Sequence, residues 1–378
     1  MKKNNLYIGI LTGTSMDSID CGIYDFKDKK SEIISFSENI YPLSIKKEIN
    51  NDLKNIRDKR KYKDSYAHHK LGSHYSEIIN NLLNKNNIKK ENISAIGMHG
   101  QTVSHIKKDN QTVSIQIGCP KTLSEKTNIR VVSDFRQSDI ENGGEGAPLA
   151  PLFHDYIFNK LDTKRAIVNI GGISNISFLT SKNNSLYGFD SGPGNTLIDS
   201  WVKDKYNLNY DIGGNIAKSH DCIDKLLKNF MMDKYFEANF PKSTSTEYFS
   251  KEWLLENLKT SSYDYSDGDI LATLTNLTAF SIIQSIADNS GDCDEIYVCG
   301  GGAFNKTIIK EMEIAARKKF SRKIILATTD ILGVNPKTVE SGLFAWLAMA
   351  KVNNLPLDYT QVTGSNTPRT LGKIYTST

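Results

Sequence analysis

Twice along the chain, near residues 6 and 165, an apolar strand-like run enters a glycine-bearing turn and leaves it as a second strand. The first case is "NLYIGIL" and "CGIYDF" around the loop "GTSMDSID" (13–20). The second is "RAIVNIGG" and "ISFL" around "NIGGISN" (169–175). A loop holding Gly13, Thr14, Ser15 and Asp17 is too polar for a core and too elaborate for a plain hairpin turn. Glycine lets backbone N–H groups approach an anion closely, and hydroxyls add donors. A third glycine turn, "CGGGAFN" (299–305), follows the strand-like run "DEIYVC" and leads into a helix. Together the three loops can grip the phosphates of a nucleotide from both sides, although any one of them alone is most simply a turn.

Strands and helices alternate along the rest of the chain. "SEIISFSENIYPL" reads as a third strand, and residues 64–84 carry Ala67, Leu71, Ile78 and Leu82 at helical spacing. His68, His69 and His74 lie on that helix without a carboxylate or cysteine beside them, which favours solvated or partly packed rings over a metal site. "ISAIGMHG" and "QTVSIQIG" follow as strands, "SLYGFD" as another, and "NTLIDSWVKDKY" as a helix. In "DILATLTNLTAFSIIQSI" Ile270, Leu274 and Leu277 share a face and Asp269 is placed to cap. Asn335 and Pro336 open a last long helix, "KTVESGLFAWLAMAKV". The alternation predicts an α/β fold with mixed sheets, and the two hairpin-first modules predict a duplicated architecture. At 378 residues there is room for two cores. The division falls near residue 135: residues 1–135 with 363–378 form an N-terminal lobe, and 136–362 a C-terminal lobe.

Several functions are excluded. Basic and acidic residues, 47 against 43, are interspersed, which is too balanced for a nucleic-acid partner. The five cysteines are scattered with no CxxC pair, so reduced thiols and a cytoplasmic setting are expected, without a zinc site. The N-terminal apolar run is too short for a signal peptide, and no run is expected to reach the ~20 apolar residues of a membrane span. There is no GxxxxGK[ST] phosphate loop and no GxSxG nucleophile elbow, while "GGGAFN" and "GPGNTL" lack the third glycine of a dinucleotide fingerprint.

These loops and other stretches carry a family likeness: "GTSMDSID", "GMHGQTVSH", "SIQIG", "VVSDFR" with "ENGGEGAPLAPLFH", "NIGGISNIS", "FDSGPGNTLIDSW", "PKSTSTEYF", "DILATLTNLTA", "VCGGGAFN" and "VESGLFAWLA". They are collinear and run nearly end to end. The chain resembles the sugar kinase/Hsp70/actin superfamily and, more narrowly, the anhydro-N-acetylmuramic acid kinase family. It departs from the family at Ser18, where glycine is usual, and at Ser341, where alanine is usual. The resemblance implies a two-lobed actin-like ATPase fold of duplicated ribonuclease H-like domains around a central cleft. It also implies cleavage of the 1,6-anhydro bond of anhydro-N-acetylmuramic acid by water, with phosphorylation of O6 by ATP, in cell-wall recycling.

Residue by residue, the resemblance makes Asp190 of "FDSGPGN" the base that activates water. Its rival role is a helix N-cap before "NTLIDSW". Thr12, Gly13, Thr14, Ser15, Met16, Asp17, Ser18 and Ile19 would form the first ATP loop, with Asp17 holding Mg²⁺ directly or through water. A local turn bond is the alternative for Asp17. Gly171 and Gly172 would form the second phosphate hairpin, and Gly300, Gly301 and Gly302 would pass beneath the adenosine. His99, Arg136, Gly144 and Glu340 would bind the sugar, Arg136 by pairing with the lactyl carboxylate. Against this stand an ion pair of Arg136 with Asp134, and a helix-dipole role for Glu340. Lys242, in "PKSTSTEYF", is within the family motif and could reach an anionic group, with a solvated side chain as the favoured reading. A homodimer is implied, with no nucleic-acid or membrane partner. The rival readings are a kinase of another 1,6-anhydro sugar of the levoglucosan type, and a non-catalytic nucleotide-gated binding protein of the actin/Hsp70 type.

Overall fold

The computed structural model describes residues 6–13, 16–27, 30–55, 59–108, 111–179, 186–239, 242–259, 265–290 and 293–377. Its strands are β1 (Leu6–Thr12), β2 (Ser18–Lys27), β3 (Lys30–Ile40), β4 (Ile93–Lys108), β5 (Gln111–Ile117), β6 (Val131–Ser133), β7 (Arg165–Ile170), β8 (Ile173–Leu179), β9 (Tyr187–Pro193), β10 (Glu295–Cys299), β11 (Ile325–Thr328) and β12 (Lys373–Tyr375).

Contacts divide the chain into two units, Met1–Ile157 with Thr338–Thr378, and Phe158–Lys337. In the first, β1, β2 and β3 form an antiparallel meander, and β4 adds parallel to β1 on its other side. β6 then pairs parallel to β4 and β12 antiparallel to β6, while β5 pairs with the far end of β4. In the second, β7, β8 and β9 form the meander, β10 lies parallel to β7, and β11 parallel to β10. The orders β3-β2-β1-β4-β6 and β9-β8-β7-β10-β11 therefore repeat one topology with the same pairing senses. This is the ribonuclease H-like arrangement, present twice as in actin-like ATPases, and it is the duplication that the two hairpins announced.

The helix Val339–Val352 packs on the first sheet, and two glycines set how closely. A Cβ at Gly9 of β1 would stand 1.7 Å from the Ser341 carbonyl oxygen, and one at Gly97 of β4 would stand 1.9 Å from that of Phe344. Both overlaps are with backbone, so no side-chain movement relieves them. The same packing shows why the sequence-based division misplaces residues 338–362: they belong with the first sheet, not with residues 158–337. Residues 136–157 also belong there, because Tyr359 donates to the Leu149 carbonyl at 3.0 Å and the Phe153 and Trp346 rings lie 5.7 Å apart.

The second unit is built on the helix Asp267–Ser290. By length and composition alone it is long and apolar enough to cross a membrane, although polar residues interrupt its apolar run. Most of it is buried inside its unit, where it serves as a core helix. Asp269 is not its cap: the helix starts two residues earlier, and the Ser266 hydroxyl accepts from the Asp269 N–H at 3.0 Å. Asn335 likewise caps the short turn Pro336–Thr338, accepting from Lys337 N at 3.0 Å, and the long helix follows that turn.

Candidate active site

Asp190 sits in the middle of β9, where its neighbours come from the segment 235–244. Its N–H donates to the Lys242 carbonyl at 3.3 Å, and its carbonyl accepts from the Tyr235 hydroxyl at 2.5 Å. Its carboxylate Oδ2 accepts from the Thr244 N–H at 3.0 Å. The helix after β9 begins at Thr196 with Asn195 in the N-cap position, so Asp190 does not cap it. Lys242 departs from the solvated role expected of it. Its Nζ donates to the Tyr235 carbonyl at 3.2 Å and lies 4.8 Å from the centre of the Tyr235 ring, and burial lowers its pKa.

The glycine turns of this unit are tied to one another. The Gly171 carbonyl accepts from Asn195 N at 2.8 Å, and the Gly172 carbonyl accepts from Gly194 N at 2.9 Å and Thr196 N at 3.1 Å. The β7–β8 turn is thereby fixed to the first turn of the helix Thr196–Tyr206. Asn195 Nδ2 adds a bond to the Ile170 carbonyl at 3.3 Å. Gly300 has φ of 79°, and a Cβ there would lie 2.3 Å from Asn169 Oδ1; one at Gly302 would lie 2.3 Å from Ile170 Cγ2. Packing alone explains both. At Gly301 the nearest atom would be Asn195 Nδ2 at 3.8 Å, so this is the position where the fold itself leaves room.

In the first unit, Thr14 and Ser15 lie outside the described residues. Thr12 and Ile19 at the two ends of the loop serve the core. Thr12 is buried, with its hydroxyl donating to the Gly100 carbonyl at 3.1 Å and lying 3.2 Å from the Tyr75 hydroxyl, and Ile19 is fully buried. The turn is made by Met16, whose φ is 54° and whose N–H donates to the Gly13 carbonyl at 3.2 Å. Ser18 opens β2 opposite Ile40, so the serine meets no left-handed backbone angle at this departure from the family. Lys46, which the sequence did not single out, donates to the Met16 carbonyl at 3.0 Å and lies 3.4 Å from Asp17 Oδ1. Asp17 keeps its side chain 72% exposed. Among the described residues no group of three or more His, Cys, Asp or Glu is arranged to hold a metal.

Arg136 and His99 meet in the same unit. Arg136 Nε donates to His99 Nε2 at 2.9 Å, and Nη1 donates to the Gly146 carbonyl at 3.1 Å. His99 Nδ1 lies 3.1 Å from the Gly100 carbonyl and must donate there, which leaves Nε2 as the acceptor that Arg136 needs. Burial first, and then the neighbouring guanidinium, hold the His99 pKa well below its usual value, so the ring is neutral. Its face stacks on Phe344, with ring centres 4.5 Å apart. Glu340 lies four residues before Phe344, on the same face of that helix. Asp134 is engaged elsewhere, with Lys63 Nζ at 2.7 Å and with the Tyr375 hydroxyl.

Sequence reasoning missed Asp139. Its buried carboxylate accepts from Gly146 N at 2.7 Å and from Thr363 Oγ1 at 2.8 Å, and so it holds the loop whose carbonyl fixes Arg136. Gly144 lies directly over it: a Cβ there would stand 2.2 Å from Asp139 Oδ2. One signal was available, because an acid just before "ENGGEG" is well placed to organise a glycine loop.

The family model of anhydro-N-acetylmuramic acid kinase matches residues 5–377. The anhydro-N-acetylmuramic acid kinase of Hahella chejuensis is 38% identical over 377 residues, covering 99% of this chain and 100% of its own. That of Legionella pneumophila strain Lens is 37% identical over 378 residues, covering 98% of each. That of Shewanella sp. strain MR-7 is 38% identical over 374 residues, covering 97% of each. The chain belongs to the anhydro-N-acetylmuramic acid kinase family. The match spans both units, so the β7–β8 turn, the Asp190 segment and the Arg136–His99 pair all lie within it.

Proposed function

We propose that this chain opens the 1,6-anhydro ring of anhydro-N-acetylmuramic acid with water and phosphorylates the freed O6 with ATP. The products are N-acetylmuramic acid 6-phosphate and ADP, and the role is peptidoglycan recycling. Family membership along nearly the whole chain carries the reaction. The fixing of Asp190 by three hydrogen bonds from one segment supports its part in it.

Asp190 takes a proton from a water molecule whose oxygen bonds to C1. The C1–O6 bond breaks with its electron pair going to O6, O6 bonds to the γ-phosphorus of ATP, and ADP leaves. The first half resembles an inverting glycosidase, in which a carboxylate activates water on the face opposite the leaving oxygen. The second half needs little beyond positioning and electrostatics, because the transferred phosphoryl group carries most of the charge. The glycine turns at Gly13 and at Gly171 and Gly172 are the phosphate loops that the resemblance implies, and the room at Gly301 suits the nucleoside.

Asp17 suits Mg²⁺. One exposed carboxylate is enough for an ion that keeps several waters and binds through substrate phosphates. Held there with the nucleotide, Mg²⁺ would supply counter-charge to the phosphates. Arg136 recognises the lactyl carboxylate: bonds from Nε and Nη1 fix the guanidinium plane, and a planar fork is the shape that a carboxylate pairs with. A cytoplasmic homodimer completes the proposal, supported by the resemblance and by five free cysteines.

The test is the product made from anhydro-N-acetylmuramic acid, ATP and Mg²⁺ in ¹⁸O-water. A sugar 6-phosphate by phosphorus NMR, with the label at C1 and none in the phosphoryl group, is expected. Labelled inorganic phosphate with the sugar unopened would contradict the proposal and favour a nucleotide-gated binding protein.

A further inference from the structure

Arg136 is steadied on two sides, and different parts of the chain stand behind each. On one side its partner His99 is braced by the Phe344 ring, 4.5 Å away between centres. On the other, the Gly146 carbonyl belongs to a glycine loop, 142–146, that the distant segment 363–367 straps down. The Glu145 N–H donates to the Thr363 carbonyl at 3.0 Å, and the next amide, of Gly146, donates to Asp139 Oδ2 at 2.7 Å. Thr363 Oγ1 donates to the other oxygen of that carboxylate at 2.8 Å, with the Tyr359 carbonyl farther away at 3.3 Å. Asp139 and Thr363 are both buried, so bulk water does not compete for these bonds. At the outer side, Asn142 Nδ2 donates to the Thr367 carbonyl and the Asn366 N–H to the Asn142 carbonyl, both at 2.7 Å. Gly143 and Gly146 have φ of 87° and 74°. Glycine visits such angles freely and leaves them as freely, so the strap supplies the rigidity that the loop lacks.

We propose that Thr363 is a positioning residue for substrate recognition. Through Asp139 it sets the Gly146 carbonyl, and so the plane in which the Arg136 guanidinium meets the lactyl carboxylate. The proposal rests on Arg136 being the partner of that carboxylate. Two-pronged pairing of guanidinium with carboxylate depends on the relative orientation of two planar groups. A displaced loop tilts one of the planes, which weakens the pairing, whereas a sugar without the carboxylate does not sense the tilt. Thr363 therefore governs the preference for the muramic substrate and not the handling of ATP.

Thr363→Val keeps the shape of the side chain and removes the hydroxyl, whereas Thr363→Ser keeps the hydroxyl. The valine variant is expected to raise KM for anhydro-N-acetylmuramic acid by about fivefold or more, with KM for ATP unchanged. The inhibition constant of 1,6-anhydro-N-acetylglucosamine, the same sugar without its lactyl group, should not move. Serine should restore the muramic KM. In an Arg136→Ala background the valine substitution should add nothing, because its effect runs through the guanidinium. An unchanged muramic KM overturns the proposal, as does equal weakening of both sugars or a full valine effect without Arg136. Asn142→Ala loosens the outer side of the strap without touching the buried carboxylate, and should move the muramic KM in the same direction. If the valine variant does not fold, Asn142→Ala carries the test, and an unmoved muramic KM there overturns the proposal. Arg136→Ala, assayed alone, separates the two layers. An unchanged muramic KM in that variant removes the assignment on which Thr363 depends, whereas a raised one beside an unaffected valine variant overturns the role of Thr363 alone.

Discussion

Arg136 Nε donates to His99 Nε2 at 2.9 Å across 37 positions of sequence, and a neutral imidazole is what makes the bond possible. On the proposed assignment of Arg136 to the lactyl carboxylate, His99 acts on the sugar through Arg136. Removing either residue should raise KM for the muramic substrate by about 10- to 100-fold, the worth of a hydrogen bond to a charged group, with KM for ATP unchanged. Because they act as one unit, the double variant His99→Ala/Arg136→Ala should be little worse than Arg136→Ala alone. Additive losses would separate the two roles. A 1,6-anhydro sugar without the lactyl group should be indifferent to Arg136→Ala. Unchanged activity of that variant on the muramic substrate would refute the carboxylate assignment and favour a levoglucosan-type preference.

The two glycines beneath the last helix predict a sharp asymmetry of stability. Gly9→Ala should destabilise by at least about 3 kcal/mol in urea unfolding, since its methyl would overlap the Ser341 carbonyl and backbone cannot yield as side chains do. Ser341→Ala at the same contact should cost only about 1 kcal/mol and leave kcat unchanged. Tyr24, whose hydroxyl lies 2.6 Å from Ser341 Oγ, keeps its bond to the Thr338 carbonyl at 2.8 Å. An unshifted midpoint for Gly9→Ala would contradict this packing.

Acid lability follows from histidines buried in the neutral form. Burial lowers His68 and His105 to about 4 and His154 to about 3. The unfolded chain binds protons at these sites near the ordinary value of about 6.5, where the native state does not. Protons therefore stabilise the unfolded chain, and stability should be full above about pH 6.5 and fall as the pH drops from there towards 4. Each such site adds a slope of up to about 1.4 kcal/mol per pH unit within that window. A Tm that stays flat from pH 7 to pH 5 would show that these rings are protonated in the native state.

Much of the fold was legible because strand and helix periodicities are local. The hairpins, the duplicated module and the long helices stand within a few residues of where their patterns place them. The division between units was not legible: it depends on the helix Val339–Val352 returning to a sheet laid down more than three hundred residues earlier. Periodicity does not encode that return, although Gly9 and Gly97 register it once the packing is known. In the site, family motifs pointed to Asp190 and Arg136, which carry recognisable chemistry. Asp139, Lys46 and Thr244 stayed hidden because their importance lies in partners distant in sequence, such as Asp139 with Thr363 and Thr244 with Asp190. Thr12 shows the reverse, a loop hydroxyl placed among phosphate donors by motif yet bonded within the core.

The central claim is that the carboxylate of Asp190 activates water. The most direct test is single-turnover formation of sugar 6-phosphate by the Asp190→Asn variant, followed by phosphorus NMR with saturating ATP and Mg²⁺. The amide keeps the size of the side chain and an oxygen for the Thr244 N–H but cannot take the proton, so ATP binding like that of the parent chain and no detectable 6-phosphate are predicted. A single-turnover rate near that of the parent chain would contradict the account.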